Sequence, residues 1–276
     1  MSYFRTIEIS DPQFELEHVR VVTVQSPALQ RRGDISFFVP PQCMGQSGVP
    51  LLILLHGVYG SHWVWTMKAG AHRTALASIQ MGQVRPFVLA MPSDGLWGDG
   101  SGYLRHDAAD YESWIMRDVA AAAMEVAPCV NTSSPLFLAG LSMGGYGALR
   151  LGAKYAEKVA GISAHSAITH PAQMLDFTAE PPMIHQGAIQ EDADPMYWLR
   201  RNGAALPPLR FDCGVSDPLL SANRALHEAL LAEGIAHVFE ECAGGHEWPY
   251  WQRNFSKTLL FLEEVLTPGT THGHRP

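Results

Sequence analysis

Short, uninterrupted apolar runs recur along most of the chain, and they constrain its fold more than any other feature. The runs lie at residues 51–55, 87–91 and 136–139, and predicted strands that also include polar residues follow at 160–164, 209–213 and 237–241. Strands without alternating polar residues are buried on both faces, as in a parallel sheet covered by helices. Stretches with helical patterning lie between or after these runs, at residues 110–127, 143–157, 218–233 and 248–266. This repetition predicts an α/β fold with a mainly parallel central sheet flanked by helices.

Two regions depart from the repetition. Residues 16–24 and 34–39 have extended patterning and are expected to form antiparallel strands ahead of the parallel part of the sheet. Residues 166–208 contain six prolines, which predicts an insertion with short helices. It can form a small cap over the sheet edge or be a surface excursion without a role in recognition. We expect one domain over residues 1–266 and a flexible tail over residues 267–276.

Charge and cysteine spacing exclude several classes of partner. The chain has 27 acidic and 19 basic residues, a net charge of -8, and no basic cluster larger than an adjacent pair, so a nucleic-acid groove is not expected. No apolar run approaches the roughly 18 residues of a membrane span, and residues 1–20 lack a signal-peptide core, which predicts a cytoplasmic protein. The four cysteines are far apart and are expected to be reduced; no metal or cofactor is expected. A homo-oligomer is compatible with this composition.

The sharpest chemical signal is the sequence Gly-Leu-Ser-Met-Gly at residues 140–144. It follows an apolar strand and opens a helix-compatible stretch, which is the setting of a nucleophile elbow. Glycine neighbours suit this interpretation, because a serine in a strained turn needs flanking residues without a Cβ atom. Ser142 is therefore the candidate nucleophile. The alternative is a glycine-rich turn in which Ser142 only caps the following helix.

A serine nucleophile requires a base, and the base requires an acid that orients it. Asp217 lies in a loop after the predicted strand 209–213 and is the candidate acid; it can also act as a helix N-cap. Asp212 is its rival, although it falls within the strand. His246 follows Gly244 and Gly245 after the last strand and is the candidate base. His165, which also follows a strand, is the spare candidate.

The tetrahedral intermediate of acyl transfer needs two hydrogen-bond donors for its oxyanion. The backbone N–H of Met143, the residue after the nucleophile, is one candidate. The loop that begins at His56 and Gly57 supplies the other, and the N–H of Val58 is the predicted donor. A plain strand-to-helix turn would also explain Gly57.

Taken together, these motifs resemble the α/β-hydrolases of the esterase family that includes feruloyl and acetylxylan esterases, S-formylglutathione hydrolases, mycolyltransferases and tributyrin-type carboxylesterases. The resemblance covers residues 35–265, and its carriers are residues 54–57, 140–148, 213–217 and 244–248. Tributyrin-type enzymes are most similar, because they share the elbow Leu-Ser-Met-Gly-Gly-Tyr-Gly. They also share the loop Gly-Gly-His-acid-Trp, which carries the candidate base. The resemblance implies that the family's nucleophile, acid and base fall on Ser142, Asp217 and His246.

Aromatic residues are expected to line a pocket for an uncharged, small-molecule ester, because they lie near loops at the carboxyl edge of the predicted sheet or in the insertion. These candidates are Trp63, Trp65, Trp97, Tyr103, Trp198 and Trp248, and each can instead belong to the core.

The sequence predicts a serine carboxylesterase that hydrolyses short-acyl esters through an acyl-enzyme intermediate. An S-formylglutathione hydrolase-like thioesterase and an acyltransferase would use the same residues, and a non-catalytic binding module on a hydrolase fold is the alternative from another class.

Overall fold

A computed structural model describes residues 2–179, 190–267 and 269. In this part of the chain nine strands form one sheet in the order β1-β2-β3-β5-β4-β6-β7-β8-β9. The strands are β1 (Ile7–Ile9), β2 (Val19–Ser26), β3 (Arg31–Phe38), β4 (Leu51–Leu55), β5 (Val88–Pro92), β6 (Leu136–Leu141), β7 (Gly161–His165), β8 (Leu209–Gly214) and β9 (Val238–Cys242). Pairs from β1 to β3 and the β3–β5 pair are antiparallel, and the pairs from β5 through β4 to β9 are parallel. The predicted α/β architecture is confirmed.

Helices cover both faces of the sheet. They are α1 (Val64–Met67), α2 (Ala71–Gln80), α3 (Tyr111–Ser113), α4 (Ala120–Val126), α5 (Met143–Lys154), α6 (Pro195–Arg201), α7 (Leu220–Ala232) and α8 (Trp248–Leu266). Helix α3 continues through a π-helical turn at Trp114–Val119 into α4. Short 3-10 turns lie at Pro12–Phe14, Pro41–Cys43, Pro171–Asp176, Gln190–Ala193 and Gly203–Ala205. In the described residues, no helix is both long and apolar enough to cross a bilayer.

Strand β4, at the centre of the sheet, shows why an apolar run carries no polar residue. All five of its side chains are buried. Leu52 and Leu54 pack in the core on one face of the sheet, whereas Leu51, Ile53 and Leu55 pack in the core on the other face. Each such side chain contributes about 1.5–3 kcal/mol by leaving water. A polar residue at any position of β4 would therefore be buried on one face or the other, without the stabilisation that an apolar side chain gains by leaving water.

Some boundaries differ from the sequence prediction. Strand β1 was not predicted, because a half-exposed edge strand of three residues gives almost no pattern. The single helix predicted at 110–127 contains the π-helical turn, and the helix predicted at 143–157 ends at Lys154. Residues 180–189 of the predicted insertion lie outside the described residues. The same holds for the tail predicted at 267–276, except for residues 267 and 269.

The parallel strands bring six loops to one edge of the sheet. Strands β4 to β9 run in the same direction, so the loops at their carboxyl ends meet. These loops begin at His56, Ser93, Ser142, Ser166, Val215 and Ala243. Ligands bind at this edge in open α/β sheets.

Candidate active site

Ser142 lies in a strained turn between β6 and α5. Its φ of 55° and ψ of -119° are unfavourable for any residue with a Cβ atom. A Cβ atom on Gly140 would lie 2.3 Å from the carbonyl oxygen of Gly144, so the turn can close only with glycine there. Within the described residues the Ser142 hydroxyl makes no capping bond to α5, which argues against the capping alternative.

The hydroxyl of Ser142 is instead next to an imidazole. Nε2 of His246 lies 3.1 Å from Oγ of Ser142, and Nδ1 lies 3.0 Å and 3.2 Å from the two carboxylate oxygens of Asp217. Gly244, with a φ of 128°, allows the loop after β9 to turn back over the sheet edge. The three side chains, from three different loops, thus form one continuous chain of hydrogen-bond contacts.

Asp217 is held from several sides. Its backbone N–H donates to the Gly214 carbonyl at 3.0 Å, and Oδ1 accepts from the Leu219 N–H at 2.8 Å. Burial by itself would raise the pKa of Asp217, but hydrogen bonds from His246 and the Leu219 amide lower it below its usual value. The carboxylate is therefore ionised at neutral pH, as an orienting group for an imidazole must be.

The rival candidates, Asp212 and His165, pair with each other. Nδ1 of His165 lies 2.9 Å from Oδ2 of Asp212, and its Nε2 lies 2.8 Å from Oγ1 of Thr258. Asp212 also accepts from Arg210 at 2.7 Å and from Tyr250 at 2.6 Å. Burial would raise the pKa of Asp212, but His165 and Arg210 hold it well below its usual range. Both side chains are fully buried in this polar cluster, and the backbone N–H of Ser142 donates to the His165 carbonyl at 3.0 Å.

The two predicted oxyanion donors flank the serine. Met143 is the first residue of α5, where the helix dipole leaves partial positive charge. Gly57 precedes Val58, and a Cβ atom on Gly57 would lie 3.2 Å from the Cβ atom of Ser142, so this loop passes beside the serine. In the part of the chain that the structure describes, neither the Val58 nor the Met143 N–H has a hydrogen-bond acceptor. Both amides are available to a ligand.

His56 holds the loop that carries Val58, a role that the sequence analysis did not assign. Its Nε2 accepts the Asp94 N–H at 2.9 Å, so the ring proton must be on Nδ1, which donates to the Gly57 carbonyl at 2.6 Å. Burial lowers the pKa of His56, against the opposing charge of Asp94. The neutral ring therefore ties the 56–60 loop to the loop after β5. The sequence feature that points to this role is the position of the histidine, directly before Gly57 and two residues before Val58.

Two of the predicted pocket residues belong to the core. Trp65 is 1% exposed, and its indole N–H donates to the Leu55 carbonyl at 3.0 Å. Tyr103 is 0% exposed, and its hydroxyl donates to the His56 carbonyl at 2.8 Å. The structure corrects the prediction that these two residues line the pocket. Both rings point into the core, where the indole N–H and the hydroxyl each donate to a backbone carbonyl.

The other four aromatic residues keep accessible surface. Trp63 is exposed and Trp248 is half-buried, packed at 5.2 Å against Trp251. Trp97 is half-buried beside His106. Trp198, also half-buried, donates from its indole N–H to the Asp192 carbonyl. Their role in a pocket stays a prediction.

The described residues contain no group of three or more His, Cys, Asp or Glu side chains that could hold a metal ion. The four cysteines are all free thiols. The chemistry available at the sheet edge is that of the hydroxyl, imidazole and carboxylate groups and the two free amides.

The sheet order, the strand-to-helix turn at Ser142 and the loops around it define an α/β-hydrolase. Residues 26–262 match the putative esterase family, and the chain belongs to that family. An acetyl esterase of Caldicellulosiruptor saccharolyticus is 27% identical over 236 residues, which cover 78% of this chain and 83% of that protein. The protein is therefore a carboxylic ester hydrolase.

Solved structures share the fold. A ferulic acid esterase superposes with a TM-score of 0.77 at 20% identity, covering 96% of this chain and all of that chain. An S-formylglutathione hydrolase from Agrobacterium tumefaciens superposes with a TM-score of 0.74 at 18% identity, covering 97% of this chain and all of that chain. At 18–20% identity, these superpositions show that this chain shares its fold with both enzymes.

Proposed function

We propose that the protein is a serine carboxylesterase that hydrolyses short-acyl esters of small alcohols through a Ser142–His246–Asp217 triad. The observation that carries the proposal is the unbroken contact chain from Oγ of Ser142 through the His246 ring to the Asp217 carboxylate. A serine hydroxyl is a weak nucleophile at neutral pH, and this arrangement is what activates it.

In the acylation step, Oγ of Ser142 attacks the ester carbonyl while Nε2 of His246 takes the hydroxyl proton. Asp217 accepts a hydrogen bond from Nδ1 and stabilises the imidazolium that forms. The N–H groups of Val58 and Met143 donate to the oxyanion, and each such donor typically contributes about 2.7–4 kcal/mol to transition-state stabilisation. His246 then returns the proton to the leaving alkoxide.

Deacylation repeats these steps with water as the nucleophile. His246 takes a proton from water, the hydroxide attacks the acyl-enzyme carbonyl, and the proton returns to Oγ of Ser142 as the carboxylic acid leaves. The short-acyl preference is supported by the acetyl esterase, which is 27% identical to this chain.

Hydrolysis of p-nitrophenyl acetate tests the nucleophile. We expect Ser142→Ala to lose at least about 1,000-fold in kcat, because the serine, histidine and aspartate act as a unit. Ser93→Ala is the matched control: Ser93 also follows a strand and is buried, and among the described residues its hydroxyl has no hydrogen-bond partner. A Ser142→Ala variant that keeps near wild-type turnover would disprove the proposal.

A series of substrates tests the acyl and leaving groups. We expect kcat/KM to fall from acetate to butyrate to octanoate esters of p-nitrophenol. Faster hydrolysis of the octanoate ester would contradict the short-acyl proposal. Faster hydrolysis of S-acyl glutathione than of the oxygen ester would identify a thioesterase, and ester product in the presence of added alcohol would identify an acyltransferase.

A further inference from the structure

We infer that Phe177, from the predicted insertion, is a positioning residue that holds the His246 imidazole in its catalytic orientation. This inference rests on the proposed function. The two rings stack with centroids 5.2 Å apart and planes 26° from parallel. The indole of Trp251 packs against the same imidazole at 5.0 Å, nearly perpendicular to it. Aromatic rings therefore contact His246 in two directions.

The loop that carries His246 needs packing contacts of this kind to fix the imidazole. His246 follows two glycines, which supply no side chain to pack against the ring, and 17% of its side chain is exposed. A stacked ring opposes tilting of the imidazole away from Ser142. It also offers a π face to the imidazolium that forms when Ser142 loses its proton, and a cation over an aromatic face is stabilised.

The backbone around Phe177 is anchored to the loop that carries the oxyanion donor. The Tyr59 hydroxyl donates to the Phe177 carbonyl, and the Asp99 carboxylate accepts the Ala179 N–H at 2.9 Å. The Tyr59 N–H in turn donates to the Asp99 carbonyl at 3.0 Å. Tyr59 has a φ of 58°, an unfavourable conformation that the surrounding contacts must maintain.

This anchoring couples two parts of the catalytic machinery. Tyr59 directly follows Val58, so the residue that fixes the Phe177 backbone is adjacent to the proposed oxyanion donor. The loop that carries Val58 therefore also holds Phe177, the residue that stacks on His246. The position of the oxyanion donor and the orientation of the base thus depend on the same loop.

Substitutions at Phe177 test the inference with p-nitrophenyl acetate. We expect Phe177→Leu, which keeps an apolar side chain but has no π face, to lower kcat about 3- to 30-fold while KM changes less than about 2-fold. Phe177→Tyr should restore kcat to within about 2-fold, because the stacked ring is kept. Tyr59→Phe should lower kcat in the same direction as Phe177→Leu, through loss of the hydroxyl bond to the Phe177 carbonyl.

The matched control is Leu175→Ala. Leu175 lies in the 3-10 turn just before Phe177 and is 54% exposed, so its truncation should leave kcat and KM unchanged. Proton NMR gives an independent readout: the His246 ring protons should move downfield in Phe177→Leu, because the shielding by the stacked ring is lost.

Several outcomes would overturn the inference. Wild-type kcat in Phe177→Leu, or an equal loss in Phe177→Tyr, would show that stacking does not position the base. A rise in KM at constant kcat would make Phe177 a wall of the substrate site. If Ser142→Ala is inactive while Phe177→Leu behaves as wild type, only this inference fails; if Ser142→Ala stays active, the proposed function itself fails.

Discussion

A Cβ atom on Gly144 would lie 2.3 Å from the carbonyl oxygen of Leu55. The first turn of α5 therefore packs directly on the backbone of β4, with no space for a methyl group. Both contacting groups are main chain, so neither can move without displacing a strand or a helix. This close approach sets the position of Ser142, two residues before Gly144.

We expect Gly144→Ala to displace the start of α5 and to misplace both Ser142 and the Met143 amide. The overpacking should cost about 1–3 kcal/mol of unfolding free energy, and kcat should fall by about 100-fold or more. Urea unfolding and p-nitrophenyl acetate hydrolysis measure the two effects. Gly203→Ala is the control, because its new methyl would meet Ile235 only at 3.8 Å. Wild-type activity in Gly144→Ala would contradict the close packing.

The grouping of Ser142, Asp217 and His246 could be predicted because each residue follows a strand of the parallel part of the sheet. Parallel strands deliver their carboxyl ends to one edge, so order along the chain translates into proximity in space. The glycines added a local signal, since the turn at Ser142 and the loop before His246 require residues without side chains.

Other features depended on contacts that no local pattern encodes. The partner of His56 is the backbone of Asp94, 38 positions later, so the sequence revealed the histidine without its role. Trp65 and Tyr103 contact the carboxyl end of β4, but whether an aromatic ring turns inward depends on an acceptor such as the Leu55 carbonyl. Phe177 lies in the predicted insertion, and the sequence assigns it no role, because its stacking on His246 joins residues 69 positions apart.

His56 should be required for catalysis although it lies outside the triad. We expect His56→Ala to free the 56–60 loop and lower kcat by about 10- to 100-fold, with KM changed less than about 3-fold, because the oxyanion amide of Val58 loses its fixed position. His62→Gln is the control in the same loop; its ring bonds to Ser36 instead. Steady-state kinetics with p-nitrophenyl acetate provide the measurement. Unchanged kcat in a folded His56→Ala variant would show that the loop keeps its geometry unaided.

Stability should fall on acidification in two stages. Burial lowers the pKa values of His56, His62 and His106, so the unfolded chain takes up protons first and stability falls as the pH drops below about 6.5. The pKa values of Asp212 and Asp217 are also lowered by their partners despite burial. Their contribution is present above about pH 4, the unfolded value, and is lost below it.

Urea unfolding followed by tryptophan fluorescence between pH 3 and pH 8 would measure both stages. Each histidine that is neutral in the folded protein adds up to about 1.4 kcal/mol per pH unit to the slope below pH 6.5. His62→Gln should therefore reduce that slope and leave the stage below about pH 4 intact. Stability that rises between pH 6 and pH 4 would be incompatible with neutral buried histidines.

Arg150 ties the predicted insertion to the helix that follows Ser142. Its fully buried guanidinium contacts Glu112 at 2.5 Å and Asp192 at 2.7 Å, and Lys154 bonds to the same two carboxylates. Asp192 lies in the 3-10 turn at Gln190–Ala193, whereas Arg150 is on α5. Removal of the guanidinium would leave two carboxylates with a single remaining ammonium group.

We expect Arg150→Ala to cost about 3–5 kcal/mol of unfolding free energy in urea, because it leaves buried charges uncompensated. Arg150→Lys should cost less, since it keeps the charge but loses the forked geometry. The control is Arg200→Ala, which removes a pair with Glu233 in which the side chains are 55% and 42% exposed, and it should cost less than about 1 kcal/mol. Equal losses for Arg150→Ala and Arg200→Ala would mean that water reaches the Arg150 site and screens its charges.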